Sequence, residues 1–210
     1  MSIEKEPAHW LAIAKQINSI AQSGLAFTKD KFDKERYEQL LDLSINIINK
    51  ITEIDNSKLQ FVFNRDVGYQ TPKVGVRAVV IKDSKILLVK EKMDGKWTLP
   101  GGYADTGMTP SEIVVNEVKE ESGFDVEATR ILGFIDYNKH QQRPFPFDIY
   151  QLFMQCEIIG GAAIPGLETS QVAFFDIDEL PELSERRVTR GQLVQMYQMA
   201  VSEHIQPVFD

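Results

Sequence analysis

Cysteine is almost absent from this sequence: Cys156 is the only one among 210 residues. The chain therefore cannot form an internal disulfide, and a thiolate metal site would need other ligands. Long apolar runs are also missing, since the stretch Val76 to Ile81 is interrupted by Arg77 and is far too short to cross a bilayer. Residues 1–6 lack the basic start and apolar stretch of a signal peptide. We expect a cytoplasmic protein without membrane attachment.

Positive charge is scarce as well. The chain has 23 Lys and Arg against 31 Asp and Glu, which gives a formal net charge of −8. A protein that binds duplex nucleic acid normally presents a basic face to the phosphates, so this charge balance argues against such a partner. A substrate that carries phosphates would need a cation between itself and the protein.

The first seventy residues have the apolar spacing of helices. The first predicted helix has one buried face and ends at Gly24, and Asp33 can cap a second helix. A short third helix is predicted to start at Asn56 or Ser57. Helices of this size cannot bury both of their sides, so we expect them to pack on the rest of the chain, on a second copy of it, or on both. The face of the first helix consists of Trp10, Ala14, Ile17 and Ala21.

After a predicted linker over residues 65–73, the apolar period becomes that of strands. Residues 74–81 and 85–90 flank a turn and predict a hairpin. Further strands are predicted at 97–99 and near 126–137, 148–158 and 172–176, with helices at 109–122 and 189–201. Strands therefore lie on both sides of one central helix in the sequence. This order predicts an α+β protein, or a sandwich around a mixed sheet.

The central helix has clear end signals. Thr109 and Glu112 match a capping box, Pro110 suits the first turn, and Gly123 suits the C-terminal cap. The last turns carry Glu117, Glu120 and Glu121, which the helical period places on one face.

These three glutamates repel one another and lie at the helix end where the dipole disfavours anions, by about 0.3–1 kcal/mol each. One explanation is a solvated acidic face. The other is a site for hard divalent cations, which bind carboxylate and carbonyl oxygens. Gly101 and Gly102 just upstream favour the cation site, because backbone without side chains can approach a ligand closely.

The segment from Gly102 to Phe124 resembles the Nudix box, G-x5-E-x7-R-E-U-x-E-E-x-G-U, with its spacing intact. The resemblance implies a Nudix fold, a mixed β-sheet sandwiched by helices, over residues 73–205. It implies that Glu117, Glu120 and Glu121, helped by the Gly102 carbonyl, bind Mg²⁺ or Mn²⁺. The implied reaction cuts the pyrophosphate of a small-molecule nucleoside diphosphate derivative.

Residues 1–66 look like the small N-terminal helical domain of a bacterial Nudix subgroup. That subgroup contains ADP-ribose pyrophosphatase-like proteins and CDP-choline pyrophosphatase. The resemblance therefore implies a CDP-choline or ADP-ribose type of substrate, which would yield a nucleoside monophosphate and a phosphorylated partner. The extension is associated with dimers in that subgroup, so we expect a homodimer.

The sequence departs from the box at two positions: Met108 stands where the family has Glu, and Asn116 where it has Arg. Either catalysis is weakened, or another acid rebuilds the site. Glu168 and Asp105 are the candidates for that acid. We expect activity to be retained, because all three metal-binding positions survive. The rival hypotheses are a nucleotide-binding sensor and a hydrolase that acts on short RNA.

The remaining candidates concern the attacking water and the substrate. Glu168 or one of the box glutamates would serve as the base. Arg77 lies in an apolar strand and would bind a phosphate or form an internal ion pair. Tyr103 would stack on a base or simply pack, and Asp105 would contact the substrate. His140 would contact base or phosphate, or be an ordinary surface histidine.

Overall fold

The computed structural model describes residues 5–52, 54, 59, 68–141, 145–202 and 206–210. The chain divides into two compact units. The first comprises Met1–Pro72 with Gln142–Asp148, and the second comprises Lys73–Gln141 with Ile149–Asp210. No helix within the described ranges has the length and apolar character that a membrane span requires. The cytoplasmic location stays a prediction.

Among its described residues, the first unit contains a pair of helices, α1 (Lys5–Phe27) and α2 (Lys31–Thr52). They share a small apolar core, and the Asn18 amide nitrogen donates to the buried Ser44 hydroxyl at 2.8 Å. The core consists of Leu11, Ala14, Ile45, Ile48 and Leu59, with Ile51, Ile54 and Phe147 packed against it. Trp10, predicted for the buried face of α1, is instead 51% exposed.

Two predicted helix ends in this unit were wrong. Helix α1 does not end at Gly24 but continues to Phe27. A Cβ atom at Gly24 would overlap the Tyr37 ring, so this glycine permits close packing of α1 and α2. Helix α2 begins after Asp30, whose Oδ1 accepts hydrogen bonds from the backbone nitrogens of Phe32 at 2.8 Å and Asp33 at 3.0 Å. The third helix predicted from Asn56 or Ser57 lies, apart from Leu59, outside the described residues.

The second unit is built on a mixed sheet of seven strands. The spatial order is β3-β2-β1-β5-β4-β7, and β6 pairs with the other side of β2. The β1–β5 and β4–β7 pairs are parallel, and the other pairs are antiparallel. The strands are β1 (Lys73–Lys82), β2 (Lys85–Glu91), β3 (Trp97–Thr98), β4 (Phe124–Asp136), β5 (Ile149–Gly161), β6 (Thr169–Phe175) and β7 (Val208–Phe209).

The predicted β1–β2 hairpin is confirmed. Its turn residues Asp83 and Ser84 have φ angles of 50° and 59°, as a two-residue turn between right-twisted strands requires. Sequence reasoning missed the two-residue strand β7 and the 3₁₀ helix Tyr137–His140.

The sheet lies between two helices, α3 (Pro110–Ser122) and α4 (Arg190–Val201). Side chains alternate between the two faces along β1. Val76, Ala78 and Val80 pack with Val118 and its neighbours in α3. Val79, on the other face, belongs to the cluster that contains Leu193, Met196 and Met199 of α4. The predicted α+β class, with a mixed sheet between helices, is confirmed.

Strands β1 and β2 pair at their hairpin end, in register at Ile81 and Ile86. Further along β1, the segment 100–104 takes the neighbouring position. The backbone nitrogen of Ala78 donates to the Pro100 carbonyl, and that of Val76 donates to the Gly102 carbonyl, both at 2.8 Å. The sheet therefore holds the glycine pair that precedes α3.

Candidate active site

Helix α3 is held at both ends as its sequence predicts. The Glu112 backbone nitrogen donates to Thr109 Oγ1 at 3.3 Å, and the Thr109 nitrogen donates to Glu112 Oε2 at 2.8 Å. Gly123 caps the C-terminus with a φ angle of 78°. The capping box is confirmed, and the three glutamates lie in the last turns of the helix.

The glycine pair lies directly against those last turns. The Gly101 nitrogen donates to Glu121 Oε2 at 2.8 Å. A Cβ atom at Gly101 would overlap the Val76 carbonyl oxygen, and one at Gly102 would overlap the Glu117 carboxylate. Only glycine can fill these positions without moving the strand or the acids. The two glycines thus allow the backbone of residues 101–102 to lie against the carboxylates of Glu117 and Glu121.

When ionised, the three acids at this helix end carry more negative charge than Arg77, which acts on two of them, can offset. Glu121 is only 7% exposed, and its burial raises its pKa to about 8. Burial also raises the pKa of Glu117; Arg77 opposes that shift, whereas Glu120, Glu168 and Asp105 add to it.

Lys119 does not relieve this charge. Its Nζ lies 2.7 Å from Asp125 Oδ1, on another side of the helix. A cation placed among the acids would favour their ionised forms.

A loop after β5 brings Glu168 to the same helix end. Thr169 Oγ1 donates to the Glu121 carbonyl at 2.7 Å, and the Gly166 nitrogen donates to Thr169 Oγ1 at 2.8 Å. A Cβ atom at Gly166 would overlap the Glu120 carbonyl oxygen. Glu168 therefore lies between Gly166 and Thr169, which both contact α3, and the Glu168 side chain is exposed.

Sequence reasoning missed an ion pair near these acids, formed by Glu91 and Arg187. Glu91, at the end of β2, is 4% exposed, and its Oε1 lies 3.0 Å from Arg187 Nε. Burial raises the pKa of Glu91, and the charge of Arg187 lowers it. Arg187 also binds Asp94, which accepts from the Ser184 hydroxyl at 2.6 Å. The sequence signal that could have identified Glu91 is its position as an acid directly at the end of the apolar strand β2.

The donor atoms suit a hard divalent cation. They are carboxylate oxygens and the Gly102 carbonyl, which accepts one hydrogen bond from Val76 and keeps a second lone pair. Within the described ranges, no three His, Cys, Asp or Glu side chains are already arranged as a metal-binding group. The Glu117 carboxylate lies against Gly102, and the exposed Glu120 side chain belongs to the same helix end. The residues fit a hard divalent cation by donor chemistry and by charge.

The four predicted substrate contacts lie in different surroundings. Tyr103 is 55% exposed and forms a bridge with Gly75 of β1. Asp105 is exposed and acts electrostatically on Glu117. His140 lies in the 3₁₀ helix, where its Nε2 is 3.0 Å from Asp210 Oδ1.

Arg77 is the fourth. Its Nη1 donates to the backbone carbonyls of Leu99, at 3.2 Å, and Gly101. Burial lowers the pKa of Arg77, and the nearby Glu121 raises it. The hydrogen bonds described for Arg77 are thus to backbone carbonyls, not to a carboxylate.

The two departures from the box lie together. Met108 and Asn116 both line an open pocket of about 580 Å³ between α3 and the sheet, which Val115, Val126 and Ile159 also line. Met108 packs against the core on the α3 side of the sheet, and Asn116 is exposed. An apolar side chain and an amide therefore replace a pair of opposite charges at one place.

Two family models match the sequence. The model of the NUDIX domain matches residues 71–196. A model described as a UDP-X-like, N-terminal oligomerisation domain matches residues 8–63.

Individual relatives agree with these matches. YjhB of Bacillus subtilis, whose name gives ADP-ribose pyrophosphatase as a provisional activity, is 41% identical over 98% of this chain and 99% of its own. A crystal structure of a UDP-X diphosphatase has a TM-score of 0.64 at 32% identity, over 97% of this chain and 99% of that one. An ADP-ribose pyrophosphatase from Streptococcus suis has a TM-score of 0.62 at 40% identity, over 67% of this chain and all of that one.

Proposed function

This chain belongs to the Nudix family of pyrophosphatases, and from that premise we propose that it uses Mg²⁺ or Mn²⁺ to cut a nucleoside diphosphate linked to a small moiety. The observation that carries the proposal is the acidic end of α3, packed on the Gly101–Gly102 backbone with Glu121 buried. Arg77 acts on two of these carboxylates but donates its hydrogen bonds to backbone carbonyls, and a phosphate substrate brings further negative charge that a divalent cation would offset.

We assign the metal to Glu117, Glu120, Glu121 and the Gly102 carbonyl. When bound, divalent ions neutralise phosphate charge and lower the pKa of a bound water. Glu168, held beside the helix end by its neighbours, is our candidate for the base that accepts a proton from the attacking water; one of the box glutamates is the alternative. The water oxygen joins one phosphorus and the bridging oxygen leaves with the other. The products are a nucleoside monophosphate and a phosphorylated partner.

We propose substrates of the ADP-ribose, CDP-choline or UDP-linked type. Names of relatives support the first and last of these, and the relatives so named match most or all of their own length. Tyr103 offers an exposed ring for stacking, and Asp105 offers a carboxylate beside the acids. Contact between His140 and the substrate stays a prediction.

We also propose that residues 1–66 form a dimerisation domain and residues 73–205 the catalytic domain. The match to an oligomerisation domain over residues 8–63 supports a homodimer. Apolar side chains on α1 and α2 support it too, because each leaves more than half of its surface in water: Trp10, Ile20, Phe27, Phe32 and Leu43. Light scattering on the purified protein tests this, and a monomer at micromolar concentration would contradict it.

The decisive experiment combines a substrate panel with metal titration. The protein is incubated with Mg²⁺ or Mn²⁺ and CDP-choline, ADP-ribose, a UDP-sugar, NADH or a short RNA, and the phosphate products are identified. We expect metal-dependent release of a nucleoside monophosphate from at least one small substrate. Tight binding without turnover would favour the sensor, which Met108 and Asn116 suggest. Turnover of the RNA alone would favour the RNA hydrolase.

A further inference from the structure

Arg77 occupies a special position beside the glycine pair. Its strand neighbours Val76 and Ala78 bind the segment 100–104 through their backbone nitrogens. Its own Nη1 donates to the carbonyls of Leu99 and Gly101 in the same segment. Strand β1 therefore holds this segment both by its backbone and by one charged side chain.

Gly101 connects Arg77 to the acids. Its carbonyl accepts from Arg77, and its nitrogen donates to Glu121 Oε2 at 2.8 Å. Because a side chain at Gly101 would overlap the Val76 carbonyl, the segment has little freedom to shift toward β1. The chain of contacts runs from Arg77 through one residue to the buried carboxylate at the end of α3.

We infer that Arg77 is a positioning residue, which holds the Gly101–Gly102 backbone against α3 and so fixes Glu121 and the Gly102 carbonyl for the metal. This inference rests on the proposed function. Arg77, which lies outside the Nudix box, would then supply the guanidinium that the box lacks, because position 116 is Asn and not Arg. The positive charge of Arg77 favours the ionised forms of Glu121 and Glu117.

The contacts of Arg77 argue against a phosphate clamp. A bidentate contact needs two adjacent guanidinium nitrogens that are both free. Nη1 already serves two carbonyls, and Nε is buried with no hydrogen-bond partner in the described part of the chain. Bidentate phosphate binding would therefore require Arg77 to release these carbonyls or to expose Nε.

Arg130 provides a matched control. Its Nη2 donates to the carbonyls of Met199, Ala200 and Ser202 at the end of α4, at 2.8, 3.1 and 2.9 Å. Like Arg77, it is partly exposed and binds backbone carbonyls, and its Nε donates to Gln155 Oε1 at 2.7 Å. Loss of Arg130 removes four described hydrogen bonds and loss of Arg77 removes two, and none of the four involves the segment 100–104 or α3.

The test compares Arg77→Gln, Arg77→Lys and Arg130→Gln in the full-length protein. Mn²⁺ affinity is measured without substrate by electron paramagnetic resonance, together with kcat, KM and Tm. We expect Arg77→Gln to lower Mn²⁺ affinity and kcat by about 10- to 100-fold, as loss of a group that orients metal ligands does, with KM little changed. Arg77→Lys should restore part of both. Arg130→Gln should lower Tm and leave Mn²⁺ affinity and kcat near wild type.

Two results would overturn the inference. A higher KM with unchanged kcat and Mn²⁺ affinity would make Arg77 a substrate contact. A lower Tm with wild-type kcat and Mn²⁺ affinity would make it purely structural. If Arg77→Gln does not fold, Arg77→Lys decides by the same criteria. Because Mn²⁺ binding needs no turnover, the inference is tested even if the wild-type protein hydrolyses no substrate in the panel.

Discussion

Helices α3 and α4 begin alike and end differently. Each starts at a threonine that completes a capping box, Thr109 with Glu112 and Thr189 with Gln192. The last carbonyls of α4 bind the Arg130 guanidinium, the ordinary way to satisfy a helix C-terminus. The last turns of α3 instead carry three acids, one of them buried.

The C-terminus of α4 therefore stabilises the fold, whereas we propose that the C-terminus of α3 binds a ligand. At α4, a positive charge and the helix dipole attract one another. At α3, acids face the same dipole and one another, and the nearby lysine pairs with Asp125. If the acids bind a metal, removal of charge at the two ends should have opposite effects on stability, and only one change should affect catalysis.

The largest expected effect comes from Glu121→Gln. Activity should fall on the order of 100- to 1000-fold, the usual consequence of losing a charge-stabilising group in an active site. The Tm of the metal-free protein at pH 8 should rise, because a buried carboxylate becomes a neutral amide. Steady-state assays and calorimetry measure both. Glu112→Gln, at the other end of α3, is the control and should leave activity intact. Equal activity of the two variants would contradict a catalytic role for the C-terminus of α3.

Arg130→Gln should have the opposite profile. Loss of hydrogen bonds from a charged donor to the end of α4 should cost about 2 kcal/mol of unfolding free energy, measured by urea denaturation. Activity per folded molecule should not change. A stability equal to wild type would show that solvent replaces the guanidinium at this helix end.

The pH dependence of stability distinguishes the acids further. The pKa of Glu121 is raised to about 8 in the folded state, against an ordinary value of 4.5. Between these values the folded protein binds a proton that the unfolded chain releases, so this contribution to stability is complete below pH 4.5 and lost as pH rises through 8. Melting curves without metal should show the fall. Mn²⁺ should counter it, and Glu121→Gln should remove it; a fall that persists in the variant belongs to another group.

The smallest effects should come from the two shared caps. Thr109→Ala and Thr189→Ala each remove one side-chain acceptor and should each cost about 1 kcal/mol. Differential scanning calorimetry should find similar Tm losses. A much larger loss at one helix would mean that its N-terminus, and not only its C-terminus, differs in role.

The sequence predicted those features whose residues lie close together in the chain, and it missed those whose residues meet only in the folded protein. The capping box at Thr109, the β1–β2 turn and the acidic spacing involve residues a few positions apart. Gly24 resembles a helix end, but its role depends on Tyr37 in the next helix. Glu91 and Arg187 meet only after the chain has folded, so no spacing rule joins them. The same holds for the carbonyls that Arg77 binds.

The pairing of segment 100–104 with β1 has a consequence for how this protein can change over evolutionary time. The part of the site next to the acids is held by backbone hydrogen bonds to β1, where an insertion or a side chain would break the register. Tyr103 and Asp105 project from the end of that segment, where they are exposed. New substrate preferences can therefore arise there while the reaction chemistry is inherited unchanged.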